Sequence, residues 1–118
     1  MKANYLQARD RVKIDEKVGA GLAKLVEGEN LSVHVAIVSQ ALKPHYHKLR
    51  DEVYIIIEGN GVMFVGEDEF EVTAGDVILI PKGNVHSIRP KNKGEKIVFL
   101  FASSPPFDPE HDRFFVER

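Results

Sequence analysis

Cysteine is absent from the 118 residues. The chain can therefore build no disulfide, no thiolate nucleophile and no sulfur-ligated metal site, and the absence is compatible with a reducing compartment. Charge of one sign is missing too: 16 Lys and Arg stand against 18 Asp and Glu, the net charge is −2, and no long run of either sign occurs. Nucleic acid has no electrostatic footprint to bind. Nowhere do as many as about 18 apolar residues follow one another, and the first residues lack the apolar core of a secretion signal. The expected location is cytoplasmic, with no membrane partner. There is also no internal repeat, no low-complexity segment, no amphipathic helical pattern of useful length and no helix-turn-helix segment to support a DNA-linked sensor.

What is present is the material of one small domain. Hydrophobic residues make up 43% and charged residues 29%, which excludes disorder, and the length fits a single unit over residues 1–118. Residues 1–30 are the least informative: Tyr5-Leu6-Gln7-Ala8 alternates weakly, Gly19-Ala20-Gly21 reads as a flexible turn, and Leu22 to Val26 reads as a first strand. Leu31 to Ser39 is a clear strand, with Val33, Val35 and Ile37 on one face and His34, Ala36 and Val38 on the other. Further strands follow at Val53 to Ile57, Val62 to Val65, Phe70 to Thr73, Val77 to Ile80, Val85 to Ile88 and Ile97 to Ala102. Asn60-Gly61, after the first of these, is the dipeptide that a type I′ hairpin prefers, and Val77 to Ile80 reads as a buried strand. Many short strands punctuated by Gly, Pro and Asn argue for an all-β antiparallel barrel or jelly roll.

Chemistry concentrates in Pro44-His45-Tyr46-His47-Lys48-Leu49-Arg50-Asp51-Glu52. In an extended segment His45 and His47 project from the same face, because side chains alternate with period two. A metal could sit between them. Glu52 opens the next strand, where Tyr54 and Ile56 share its face, and a second cluster, Gly75 to His86, ends on a histidine that could complete the set. Divalent Fe, Mn, Ni, Co and Zn all accept imidazole nitrogen with carboxylate oxygen.

The first stretch reads H-x-H-x4-E-x6-G and the second G-x5-P-x-G-x2-H, separated by Asn60 to Ala74. In this the chain resembles the single-domain microbial cupins. Two positions depart from the pattern: Ser39 and Pro90 stand where a Gly and an Asn are usual, and neither is a ligand position. The match spans residues 39–90. The resemblance implies a double-stranded β-helix, the jelly-roll barrel, holding one divalent transition metal through His45, His47, Glu52 and His86. About two positions of an octahedron would be left for water or substrate, between apolar walls such as Ile56 and Ile88. It also implies a small-molecule ligand and a metal-dependent reaction on an oxygen-rich compound, by an oxygenase or a sugar-type isomerase. A non-catalytic module binding a carboxylate or carbohydrate is the alternative, because one scaffold hosts many functions and no general base outside the metal shell is evident. No catalytic residue can be named.

Other residues have plainer expected roles. Tyr54 shares the face of Glu52 and should point into the barrel, packing in the core or hydrogen-bonding a ligand. Lys48 and Arg50 read as solvated surface, or as cations that steer an anion. His34 and His111 read as structural or surface histidines, and Gly59, Gly75 and Gly83 as turn glycines. The tail, residues 103–118, has three prolines between Ser103 and Glu110, which excludes a regular helix or central strand. Phe107, Phe114 and Phe115 need burial, so the tail should pack on the barrel or on a second subunit, and a homodimer is expected.

Overall fold

The computed structural model describes residues 1–118. A five-residue helix, α1 (Tyr5–Arg9), precedes ten strands: β1 (Ala20–Glu27), β2 (Ser32–Val38), β3 (His45–Tyr46), β4 (Asp51–Glu58), β5 (Asn60–Val65), β6 (Asp68–Thr73), β7 (Val77–Ile80), β8 (His86–Pro90), β9 (Ile97–Ser104) and β10 (Phe114–Phe115). They form two antiparallel sheets ordered β1-β2-β9-β4-β7 and β10-β3-β8-β5-β6, the jelly-roll sandwich expected from the sequence. No helix is long and apolar enough to cross a membrane.

Period-two alternation decides what goes inside. On β4 it buries Glu52, Tyr54 and Ile56 together, and the same parity sends Ile78 and Ile80 of β7 inward. A core of twelve residues results, with Ile56, Met63, Ile88 and Phe99 each about 1% exposed. Fully burying a side chain of this size contributes about 1.5–3 kcal/mol. On the other face of β7, Val77 and Leu79 remain 66% and 60% exposed. That strand is half-buried, contrary to its uniformly apolar sequence.

The chain changes sheets where a hairpin was expected. β4 pairs with β7 and β9, whereas β5 pairs with β6 and β8, so Asn60-Gly61 opens a strand in the opposite sheet. The crossing is made at Gly59, whose φ is +91° and where a Cβ would stand 2.4 Å from the Lys96 carbonyl oxygen. Only glycine fits both constraints. The tight two-residue hairpin comes one strand later, at Gly66-Glu67 between paired Val65 and Asp68.

The N-terminal region also differs from its sequence reading. Residues 5–9 form a helix because Asn4 caps it, its side-chain oxygen accepting from the Leu6 N–H at 3.0 Å and the Gln7 N–H at 3.4 Å. Ala20 and Gly21 belong to β1 and are no flexible turn. A Cβ on Gly21 would lie 2.2 Å from the Lys13 carbonyl oxygen, so the segment before β1 runs directly against that strand.

Candidate metal centre

Three histidines and a glutamate meet at one end of the sandwich. His45 on β3 and His86 on β8 are register partners in one sheet, His47 follows β3, and Glu52 enters from β4 of the opposite sheet. All four are buried. The three imidazoles offer ring nitrogens within 4.8 Å of one another and could hold a metal ion. Glu52 Oε1 lies 3.2 Å from His47 Nε2 and 3.6 Å from His86 Nε2. Ligands each about 2.1 Å from a shared cation stand about 3.0–4.2 Å apart, so the set needs little contraction to close on one.

Backbone carbonyls orient the rings. Nδ1–H of His45 donates to the Lys43 carbonyl at 2.9 Å, that of His47 to the Asp112 carbonyl at 2.6 Å, and that of His86 to the Asn84 carbonyl at 3.0 Å. A carbonyl oxygen only accepts, so the proton sits on Nδ1 and the lone pair on Nε2. Nε2 of His47, Nε2 of His86 and Oε1 of Glu52 are buried without a hydrogen-bond partner. Leaving such an atom unpaired costs about 1–3 kcal/mol. Three of them facing one another is a donor set that a cation satisfies at once.

The electrostatics are unequal around the cluster. Burial, with the neighbouring His86, pushes His45 down to about 4. Burial acts against charge on His47 as well, but the Glu52 carboxylate and Asp112 outweigh it and hold that imidazole above its ordinary value. For Glu52 burial would raise the pKa, yet His47 and His86 together hold the carboxyl at about 2. Burial first, then the charge of Glu52, keeps the Tyr54 phenol well above its usual range, so it stays protonated.

The cluster opens into a cavity of about 440 Å³, which His45, His47, Glu52 and Tyr54 line. Tyr54 stacks on Phe99 at 4.3 Å. The apolar walls are Phe99, Phe101, Phe107 and Val38, whereas the expected walls, Ile56 and Ile88, face the core beneath. At the mouth stand Lys13 and Asp15 from the N-terminal segment, Lys43, and Arg113 and Phe115 from the tail. Of these mouth residues only Lys43 falls within the motif span, and it occupies none of the motif's defining positions.

Arg50 overturns the surface reading given to it. It is 4% exposed, and its Nε donates to the Asp112 carboxylate at 2.7 Å. That carboxylate also accepts from the Lys48 and Leu49 N–H groups, at 2.7 and 3.0 Å. The Arg50 guanidinium reaches on to the Pro105 and Pro106 carbonyls. Asp112 thus ties the tail to the loop between the histidine pair and Glu52, and its carbonyl orients His47. Lys48 is exposed and lies 4.4 Å from the Phe114 ring centroid. Phe114 stacks on Tyr46, and Phe107 packs edge-on against His34, Phe101 and His47. His34 is buried, stacked on Phe101 at 4.7 Å and hydrogen-bonded to Ser32, while His111 is exposed beside Asp108.

Comparison with known proteins agrees with this geometry. The family model described as "Cupin domain" matches residues 32–103. An uncharacterized protein of Aquifex aeolicus is 33% identical over 85 residues, covering 72% of this chain and 69% of its own. A gentisate 1,2-dioxygenase of Haloferax sp is 31% identical over 78 residues, 66% of this chain but 21% of that much longer enzyme. Among solved structures, TT1209 from Thermus thermophilus superposes with a TM-score of 0.73 at 24% identity, over 91% of this chain and all of that one, and shows the same fold. With both motifs folded as the family's barrel requires and the family model spanning β2 to β9, the chain belongs to the cupin domain family.

Proposed function

We propose that His45, His47, Glu52 and His86 together hold one divalent transition metal, Fe, Mn, Ni, Co or Zn, and that the chain is a metal-dependent enzyme acting on a small oxygen-rich ligand. The observation that carries this reading is the group of buried atoms without partners: two imidazole Nε2 lone pairs and one carboxylate oxygen, the oxygen 3.2 and 3.6 Å from the two nitrogens. Bound there, such a cation supplies a Lewis-acid centre with positions left for a chelating ligand and, where it is redox-active, a path for electrons to dioxygen. The chain's own residues prepare the place. Glu52 stays ionised, the backbone carbonyls keep three Nε2 lone pairs turned inward, and the Tyr54 phenol stays protonated as an O–H donor in an apolar wall. The walls of Phe99, Phe101 and Phe107 limit water and give an apolar ligand body a surface to cover.

Oxygenase chemistry is the first choice because of the match to part of a gentisate 1,2-dioxygenase, and isomerisation of a sugar-type diol is the second. The test has two stages. Protein loaded with Fe(II) or Co(II) should change its absorption on adding at least one chelating hydroxy acid, oxo acid or sugar, and Glu52→Ala should abolish the change. Turnover that requires air then identifies an oxygenase, and turnover without air an isomerase. Binding without turnover of any ligand would favour the non-catalytic module, and an unchanged spectrum across a broad panel would overturn the open-site reading.

We also propose a homodimer, on the exposed sheet edge and on Phe115, the tail phenylalanine that stays 50% exposed. Phe107 and Phe114 find partners within their own chain, while Val77 and Leu79 stay exposed on β7, an edge strand. Sedimentation showing a monomer at high micromolar concentration would refute it.

A further inference from the structure

Arg113 is a cation without an anion. It lines the cavity beside the histidine cluster, its Nε is buried with no hydrogen-bond partner, and it takes part in none of the protein's ion pairs. Arg50, which is buried where Arg113 is half-buried, has Asp112 and two carbonyls. What holds Arg113 is the face of Phe115, 5.1 Å away, and Lys43 lies 5.3 Å from the same ring. Lys13 is a third cation on the wall. Against these three the mouth sets one acid, Asp15, one of whose carboxylate oxygens already accepts the Lys17 N–H at 2.9 Å. Burying a guanidinium nitrogen without a partner is unfavourable, and a guanidinium edge matches the two oxygens of a carboxylate.

We propose that the cavity takes a ligand carrying a carboxylate at the end remote from its chelating group, and that Arg113, with Lys43 and Lys13 around it, receives that carboxylate at the mouth. The inference rests on the metal-centre reading, which places the chelating end among the histidines. The ligand then lies along the cavity with its apolar body against Phe99, Phe101 and Phe107, its inner oxygens toward the cluster and its charge at the rim. The C-terminal tail, which supplies Arg113, Phe107 and Phe115, becomes the part of the chain that selects the ligand.

A matched pair of probes tests this: 3,4-dihydroxybenzoate, whose carboxylate is opposite its chelating diol, and the neutral 3,4-dihydroxybenzamide. Both are titrated calorimetrically into metal-loaded protein, with the metal content of each sample measured separately. The acid is expected to bind about 10- to 100-fold more tightly than the amide, the worth of a charge-assisted hydrogen-bonded pair. Arg113→Gln should remove that preference while leaving amide affinity and metal content unchanged, and Arg113→Lys should restore part of it. In the parent protein, added salt should weaken the acid and not the amide. Equal affinities in the parent, a preference that survives Arg113→Gln, or failure of both probes to bind metal-loaded protein would overturn the proposal. Failure of the metal site itself would show separately, as loss of metal from the parent.

Discussion

The histidine and glutamate cluster at the inner end of the cavity is built by β3, β4 and β8, whereas the mouth is lined mainly by two segments near the chain ends, residues 13–22 and 107–115, with Lys43 beside them. Inside, the donor atoms are fixed by register and by backbone carbonyls: His45 is opposite His86, and each imidazole has a carbonyl on Nδ1. At the mouth, position depends on the close approach of Gly21 to Lys13, on the pairing of β10 with β3 and on one buried ion pair. The two regions meet at Asp112, whose carbonyl orients His47 while its carboxylate anchors the tail. In the proposed reading, holding a metal and choosing a ligand fall to different parts of the chain, joined at Asp112, at the β10–β3 pairing and where Phe107 packs on His47.

The strongest way to break this division is His86→Ala. Removing an oriented donor from the inner end should weaken metal affinity on the order of 1,000-fold, beyond the roughly 10- to 100-fold typical of losing an outer partner, as read by competition with a chromophoric chelator. Tight binding in that variant would show that the inner end is misassigned.

Acid should act on the same end. His47, held above its ordinary 6.5, competes with a cation for its own lone pair from above that pH downward, whereas His45, held at about 4, stays neutral until then. Metal affinity should be constant at high pH, fall about tenfold per pH unit once His47 protonates, and steepen below about pH 4. A profile flat from pH 8 to 5 would contradict it.

Asp112→Ala tests the joint. The Arg50 charge is left buried without its partner, a loss of about 3–5 kcal/mol expected in urea unfolding of the metal-free protein, with weakened metal binding alongside. In the parent the Asp112 carboxyl is depressed: burial opposes its charge, but Arg50 and the Lys48 and Leu49 N–H groups prevail. Its contribution is therefore complete above the usual carboxylate range and lost as pH falls through the lower folded value.

The smallest expected effect belongs to the mouth. Gly21→Ala forces the Lys13 carbonyl away from β1 and should cost about 1–3 kcal/mol, raising hydrogen exchange in residues 10–19 while metal content stays the same. Metal loss in this variant would mean that the two regions are not separable.

These regions also differed in how far the sequence revealed them. The four inner residues were legible because strand parity and motif spacing are local, and Tyr54 followed from the parity of Glu52. The mouth was not. Arg113 and Lys13 carry no motif, and their approach to the cluster depends on long-range packing, seen in the 65-residue separation of the His47 and Asp112 contact. Arg50 looked solvated because a charged residue in a loop usually is, and its partner 62 positions away had no local signature. The sheet change at Gly59 was hidden for the same reason, since Asn60-Gly61 has hairpin chemistry locally and tertiary pairing overrides it.

The central claim is tested most directly by a crystal structure of the Co(II)-loaded protein with anomalous data collected at the cobalt edge. The account predicts one anomalous peak per chain, about 2.0–2.2 Å from Nε2 of His45, His47 and His86 and from a carboxylate oxygen of Glu52. No peak among these residues at full cobalt loading, or a peak held by other side chains, would contradict it.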